Sequence, residues 1–349
     1  MKRTSVYFTS KSQVTLDEEP VEAVGNGEVL VRSIVSAISA GTELLFLRGQ
    51  VPSSMVVDDS IPNLAGEPVR YPLKYGYAVV GRVAQVGRGV DPALEGRVVF
   101  AFHPHESCFV TTPDAIIALP SEMPAERAAL LPTMETALSL VMDARPVLGE
   151  QTAVIGLGMV GLFVTHLMAS MSPGRLVGVD PSTLRREHAL RLGAAAVVDG
   201  AASETVESIR RALSKSSVGE YYEGADLAVE LSGHPSGLDV AIRSLGFNGR
   251  VLVGSWYGKQ SAPLGSLGEA FHRNHIELVS SQVSQIHPRW RGRWTKRRRL
   301  QTALRLLQKL DHAPFITHRL PLGRAADAYE ILQSAQEDVL QVLLTYEEP

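Results

Sequence analysis

Between Gln151 and Asp180 the chain reads QTAVIGLGMVGLFVTHLMASMSPGRLVGVD, the stretch that most restricts what it can fold into. A short apolar strand is expected over Thr152 to Ile155. Gly156-Leu157-Gly158-Met159-Val160-Gly161 follows, a G-x-G-x-x-G run, then an apolar segment of helical length and a second strand, Arg175 to Val179, ending on Asp180. That order is a β-α-β unit. Gly156 can take the dihedrals of a tight turn, Gly158 lets a pyrophosphate approach the backbone, and Gly161 lets helix and strand pack closely. Met159 and Val160 open the helix, whose N-terminal N–H groups then point at the phosphates. Asp180 stands where a carboxylate accepts hydrogen bonds from a ribose diol. A membrane span is the competing reading of 152–171, since about twenty apolar residues suffice. Three glycines, His166 and the matching strands downstream argue against it.

With 349 residues, two domains are the natural expectation. A net charge of −3 gives no global reason to expect nucleic acid or an anionic membrane as partner. The lone cysteine, Cys108, excludes an internal disulfide and any multi-cysteine metal site. The opening residues carry no apolar core segment, so no signal peptide is expected and the cytoplasm is the default.

Residues 5–35 read as three strands, with Gly25-Asn26-Gly27 as a turn. Ser39 to Glu43 leads into a helical segment, and 52–73 is an excursion over the surface. Glycines at 76, 81, 87 and 89 interrupt β-forming stretches. From Pro124 to Ala144 the periodicity turns helical. Beyond Asp180, strands alternate with helices, which implies a parallel sheet whose carboxyl edge binds ligands. The loops after Ile155, Val179, Leu231 and Val253 lie on that edge. The tail, 275–349, holds a strand, a basic stretch, two helices and a final strand.

In order along the chain, Ser39-Ala40-Gly41-Thr42-Glu43 resembles C-G-T-D, Gly76 to Val83 resembles G-H-E-x-x-G-x-V, and Gly156 to Gly161 resembles G-L-G-x-V-G. DLAVELSG, GRVLVG, AADAYEILQS and QVLLTY follow. The chain so resembles the medium-chain dehydrogenase/reductase superfamily over essentially its whole length. The resemblance implies an α/β fold: a central doubly wound parallel (Rossmann) sheet, 133–279, and a β-rich GroES-like catalytic domain built from both chain ends, 1–132 and 280–349. It also implies a homodimer and a nicotinamide lying in the cleft between domains. Within the superfamily, SAISAGTE, KYGYAVVGRV and SSQVSQIHPRWRGRW look most like the branch containing bacteriochlorophyllide a dehydrogenase, although Tyr77-Ala78 departs from the G-Y-E expected there.

The departures bear on chemistry. The zinc-ligand positions of alcohol dehydrogenases in this superfamily are Ala40, Tyr77 and the neighbourhood of Pro132 here, and Ala78 replaces the glutamate beside the histidine ligand. A catalytic zinc needs three protein ligands, so a zinc-free member is expected. The resemblance places Thr42, Glu43, Tyr77, Phe102 with His103, and Glu135-Thr136 around the vacated position. Tyr77 can donate a phenolic proton, its pKa lowered by a nearby cation, or simply fill the lost metal's volume. His103 can relay a proton near neutral pH or lie solvated in its loop. Thr42 and Glu43 can extend a relay, or Glu43 can pair with Arg48. Glu135 faces the cleft or is buried against a partner. His103, His105 and Glu106 form a weaker alternative metal site.

For the cofactor, Asp180 favours NAD over NADP, while Arg185 and Arg186 keep NADP possible. Thr136 is a further expected cofactor contact, and Ser232-Gly233 and Gly254-Ser255-Trp256 are the expected nicotinamide-side loops or else plain strand-end turns. Gln341 stands where many superfamily members carry a base for the pyrophosphate. The stretch 287–300 has seven Arg or Lys and two Trp. It reads as a solvated loop and helix start, as a site for an anionic substrate group or partner subunit, or as a nucleic-acid surface, the last disfavoured by the net charge. The sequence therefore predicts a zinc-independent oxidoreductase that exchanges hydride between NAD(H) and a small-molecule secondary alcohol or ketone. An enone or quinone reductase, and a non-catalytic nucleotide- or RNA-binding protein, are the rivals.

Overall fold

The computed structural model describes residues 1–58, 61, 64–171, 174–214, 224–261, 264–334 and 339–347. The chain divides into two units, Met1–Pro132 with Leu304–Pro349, and Thr133–Ala303. Residues 280–303, which the sequence reading assigns to the C-terminal part, cluster with the central unit. Arg299 explains much of this, because its guanidinium is bonded to Glu135 and Ser139 of the helix Leu131–Ala144.

The unit built from both chain ends is β-rich. Val29–Ala37 is the centre of a seven-stranded sheet, pairing antiparallel with Val79–Val86 on one side and with the C-terminal strand Gln341–Thr345 on the other. Inward-facing Val, Leu and Phe side chains cover its faces, so the C-terminal strand is held by core packing as well as by its ladder. A smaller sheet joins Lys2–Ser10 to Gln13–Pro20 and Leu73–Lys74. Ile316–Pro321, not expected as a strand, pairs parallel with Gln341–Thr345 at the sheet's edge. The excursion over 52–73 carries two isolated bridges, Val56 to Pro68 and Asp58 to Ala65. Residues 59–60 and 62–63 of it lie outside the described residues.

The central unit is a six-stranded parallel sheet. Its order is Ala196–Val198, Arg175–Val179, Gln151–Ile155, Ala225–Glu230, Leu245–Val253, Glu277–Ser280. The chain runs outward from Gln151–Ile155 in both directions, so the loop after Ile155 opens at the switch point where doubly wound sheets bind ligands. The helical run from 125 is broken into Ala125–Ala128 and Leu131–Ala144. Pro132 lacks the N–H a continuous helix would need and fits the first turn of the second helix. Among the described residues no helix is long and apolar enough to cross a membrane.

Candidate active site and cofactor site

In the central unit the strand Gln151–Ile155 passes into Gly156 at φ +92, and the helix Met159–Ala169 begins after Gly158. A Cβ on Gly156 would lie 2.5 Å from the Leu231 carbonyl, and one on Gly161 would lie 2.0 Å from the Gly156 oxygen. Both must be glycine for the loop to close on its neighbours. At Gly158 a Cβ would meet nothing within 4 Å, so the backbone there faces open space. That is the geometry a phosphate needs to reach helix N–H groups.

Asp180 is only 3% exposed. Its Oδ2 accepts from Leu157 N–H at 2.8 Å and its Oδ1 from Ser182 N–H at 2.9 Å, so the carboxylate ties the glycine loop to the start of the helix Thr183–Arg191. Arg185 lies 3.7 Å from the same carboxylate. Arg186 donates to the carbonyls of Asp180 and Pro181 and to Thr183 Oγ1. Its guanidinium is committed to the loop it follows, a use the sequence did not reveal.

At the carboxyl end of Ala225–Glu230, the fully buried Glu230 accepts from Ser232 N–H at 2.8 Å, from the Ser232 hydroxyl, and from Tyr257 O–H at 2.6 Å. Burial, then the carboxylate's charge, push the Tyr257 phenol up. Gly233, at φ +73, donates to Ser255 Oγ, and Gly254 donates to the Glu230 carbonyl. The loops carrying Ser232, Gly233, Gly254 and Ser255 are thus joined into one rim. Tyr257 and Glu230 were not singled out in the sequence, because their pairing appears only once two strand ends lie side by side. Thr136 is half-buried on its helix. Glu135 is buried and bonded to Arg299 at 3.0 Å, which resolves its two readings in favour of a paired group.

In the β-rich unit, Ala40 opens the helix Ala40–Leu47, and Tyr77-Ala78 precedes Val79–Val86. The Tyr77 hydroxyl donates to Ser39 Oγ, and its ring packs edge-on to Tyr75. Burial pushes the phenol up to about 12, with the Ser39 and Thr42 hydroxyls working the other way. The expected cation is not among the charges acting on it, and the expected lowering is overturned: Tyr77 stays a neutral donor at ordinary pH.

Glu43 does not pair with Arg48. Fully buried, it accepts from Ser39 N–H at 2.6 Å through Oε1, and from Tyr329 O–H and the His105 ring through Oε2, the latter at 3.1 Å. His105 Nδ1 lies 2.7 Å from Ser36 Oγ, which is 2.8 Å from Tyr346 O–H. Gly76, at φ +118, leaves room for that imidazole: a Cβ there would stand 2.5 Å from it. The titratable relay expected at His103 is also corrected. His103 is buried and stacked on Phe109 at 3.8 Å, and burial pushes its pKa down to about 3, so it does not titrate near neutrality. The Glu106 carboxylate is bound to Lys74 and Arg3. Gln341 is buried and donates to the carbonyls of Ile38 and Val342, so it is spent within the sheet.

These contacts bear on a metal. Ala40 and Ala78 offer no donor atom, Pro132 none in its side chain, and the Tyr77 hydroxyl is engaged with Ser39. His105 and Glu43 are buried and bonded to one another. Among the described residues no cluster of three His, Cys, Asp or Glu could hold an ion. The residues at these positions do not fit a catalytic zinc.

A family model described as zinc-binding dehydrogenase matches residues 159–308. D-guloside 3-dehydrogenase of Escherichia coli (strain K12) is 25% identical over 314 residues, 86% of each chain. L-threonine 3-dehydrogenase of Bacillus subtilis (strain 168) is 23% identical over 361 residues, 92% of each. A solved short-chain alcohol dehydrogenase from E. coli CFT073, complexed with NADH, shares the fold at a TM-score of 0.76 and 17% identity, over 99% of both chains. The family match over residues 159–308, the relatives at 23–25% identity and the common fold make the chain similar to dehydrogenases of the medium-chain type.

Proposed function

We propose that the protein is a zinc-independent, NAD(H)-dependent oxidoreductase interconverting a secondary alcohol and a ketone. The observation that carries the reading is the replacement of metal donors by a hydroxyl pair, Ser39 and Tyr77, in a chain whose glycine loop is otherwise built for a dinucleotide. The relatives' names, D-guloside 3-dehydrogenase and L-threonine 3-dehydrogenase, are those of enzymes that oxidise alcohols. The dinucleotide supplies or accepts the hydride when bound. Gly156 to Gly161, with Met159 and Val160 at the helix start, hold its pyrophosphate, Asp180 shapes the ribose end by tying the glycine loop to Ser182, and Thr136 with the rim of Ser232, Gly233, Gly254 and Ser255 orients the nicotinamide.

In ketone reduction the substrate oxygen gains negative charge as hydride reaches carbon, and a hydroxyl donor stabilises it. Tyr77 and Ser39 supply that donor, and Thr42 supports the phenol. A phenol with a pKa near 12 is still far more acidic than an alcohol and gives its proton to a developing alkoxide. Glu43 holds the Ser39 backbone in place and acts as a positioning residue. NAD is favoured because both basic groups a 2′-phosphate would need are engaged within the loop, Arg185 beside the Asp180 carboxylate and Arg186 on the carbonyls of Asp180 and Pro181.

The test is NADH oxidation followed at the nicotinamide absorbance with a panel of ketones and a matched panel of enones and quinones, for wild type and Tyr77→Phe. The expected result is turnover with ketones and a loss of about 100-fold or more in kcat for the variant, the usual scale of acid–base assistance. Full turnover by Tyr77→Phe, or turnover with enones alone, would overturn the reading.

A further inference from the structure

The strand Glu277–Ser280 is a parallel member of the central sheet, and the chain leaves its carboxyl end at Ser281. No Asp or Glu occurs between Glu277 and Asp311. Seven cations fall between residues 289 and 299, and they divide into two kinds. Arg299 is buried and structural, bonded to Glu135, Ser139 and the carbonyls of Val283 and Gln285. Arg289, Arg291, Arg293, Lys296, Arg297 and Arg298 are all exposed. Among the described residues none of these six closes an ion pair with a carboxylate. Lys296 exerts a longer-range pull on Glu135, whose carboxylate Arg299 already holds.

The segment is built, not loose. Trp290 Nε1 donates to Asp143 at 3.1 Å, Arg291 Nε to the Ile286 carbonyl at 3.0 Å, and Trp294 N–H to the Trp290 carbonyl at 2.9 Å. The Arg293 guanidinium lies 5.2 Å over the Trp290 ring, and that of Arg298 lies 4.3 Å over Trp294. One Arg298 Nη1 hydrogen is spent on the Arg293 carbonyl, and stacking fixes each guanidinium's plane while leaving its remaining N–H edges for an oxyanion. Lys296, Arg297 and Arg298 also occupy the first turn of the helix Lys296–Gln308, which contains no acid. Cations are disfavoured at that end of the helix dipole, so helix stability does not account for them. An anion held there meets the dipole and the side chains together.

We propose that residues 289–298 form a binding site for the phosphate groups of a small phosphorylated ligand. The proposal stands on this segment alone and does not depend on the functional reading above. Phosphate fits better than a carboxylate because each group brings up to two charges and three acceptor oxygens against six cations. A nucleic acid fits less well. One face of each indole already carries a guanidinium, and the chain as a whole is net negative.

The test titrates inorganic pyrophosphate calorimetrically into protein saturated with NADH, so that the glycine loop is occupied. Wild type is compared with the triple variants Arg293→Gln/Arg297→Gln/Arg298→Gln and Arg293→Lys/Arg297→Lys/Arg298→Lys. The expected result is saturable binding by wild type, weakened about 30-fold or more in the Gln variant and less in the Lys variant, with NADH affinity by fluorescence equal in all three. No binding by wild type, or equal binding by the Gln variant, overturns the proposal. So does tighter binding of poly(U) than of pyrophosphate with a steep salt slope, which assigns the surface to nucleic acid. The NADH titration judges the dehydrogenase reading separately: failure to bind NADH sinks that reading, while arginine-dependent pyrophosphate binding is scored on its own.

Discussion

Replacing Glu43 by alanine tests the buried network behind Ser39 and Tyr77. The substitution removes the acceptor for three donors, the part-buried Ser39 N–H and the fully buried His105 ring and Tyr329 hydroxyl. A buried donor left without its acceptor costs about 1–3 kcal/mol, and such terms are not additive. With two buried donors left unpaired, the expected loss for Glu43→Ala is about 2–5 kcal/mol, a large share of the roughly 5–15 kcal/mol that holds a domain folded. Glu43→Gln should lose less, since one amide oxygen still accepts from Ser39 and the imidazole and phenol can turn to accept from the amide. The control is Glu126→Ala, which breaks the partly exposed pair with Arg319 and should cost about 1 kcal/mol or less. Urea unfolding followed by tyrosine fluorescence and circular dichroism reads all three. A Glu43→Ala midpoint no lower than that of Glu126→Ala would refute the reasoning, because it would mean the network is not sealed from solvent.

Three further outcomes follow from the site. His103 carries a pKa of about 3 in the folded chain because it is buried, against about 6.5 when unfolded. The unfolded chain then binds more protons between those values, so stability falls as pH drops from about 6.5 towards 3; His103→Gln should flatten that slope in pH-dependent urea titrations. Glu19 is held down at about 2 by Lys74, Tyr7 and Arg3, against the opposing effect of burial. Its stabilisation is complete above about 4.5 and is lost as pH falls towards 2, so Glu19→Gln should remove part of the acid sensitivity measured in the same titrations. In cofactor choice, kcat/KM for NADH should exceed that for NADPH by roughly 10- to 150-fold, the equivalent of one lost charged hydrogen bond. A ratio near one would show that the engagement of Arg185 and Arg186 does not set the preference.

The glycine loop was legible because it depends on local order, three glycines at fixed spacing, whereas the assembly of one unit from both chain ends was implied by the family resemblance and not by any local pattern. What was not legible depends on which side chains meet across the fold. His103 and His105 are chemically alike in the sequence, yet one stacks on Phe109 and the other enters a cavity left by Gly76. Glu43 had Arg48 five residues away as an obvious partner, but its bonds go to His105 and Tyr329, 62 and 286 residues away. The pairing of Glu230 with Tyr257 arises at neighbouring strand ends and has no sequence spacing to announce it. Tyr77 was found from its position, while the direction of its pKa shift required knowing that burial and hydroxyl neighbours, not a cation, surround it.

The central claim is that hydride transfer proceeds with no zinc at the positions of Ala40, Tyr77 and Pro132. Its most direct test is ketone-dependent NADH oxidation by protein dialysed against a strong chelator, with metal content measured on the same sample. A zinc-independent enzyme holds far less than one zinc per chain, and its kcat/KM is unchanged by chelation or by added zinc. Stoichiometric zinc whose removal abolishes turnover, and whose return restores it, would contradict it.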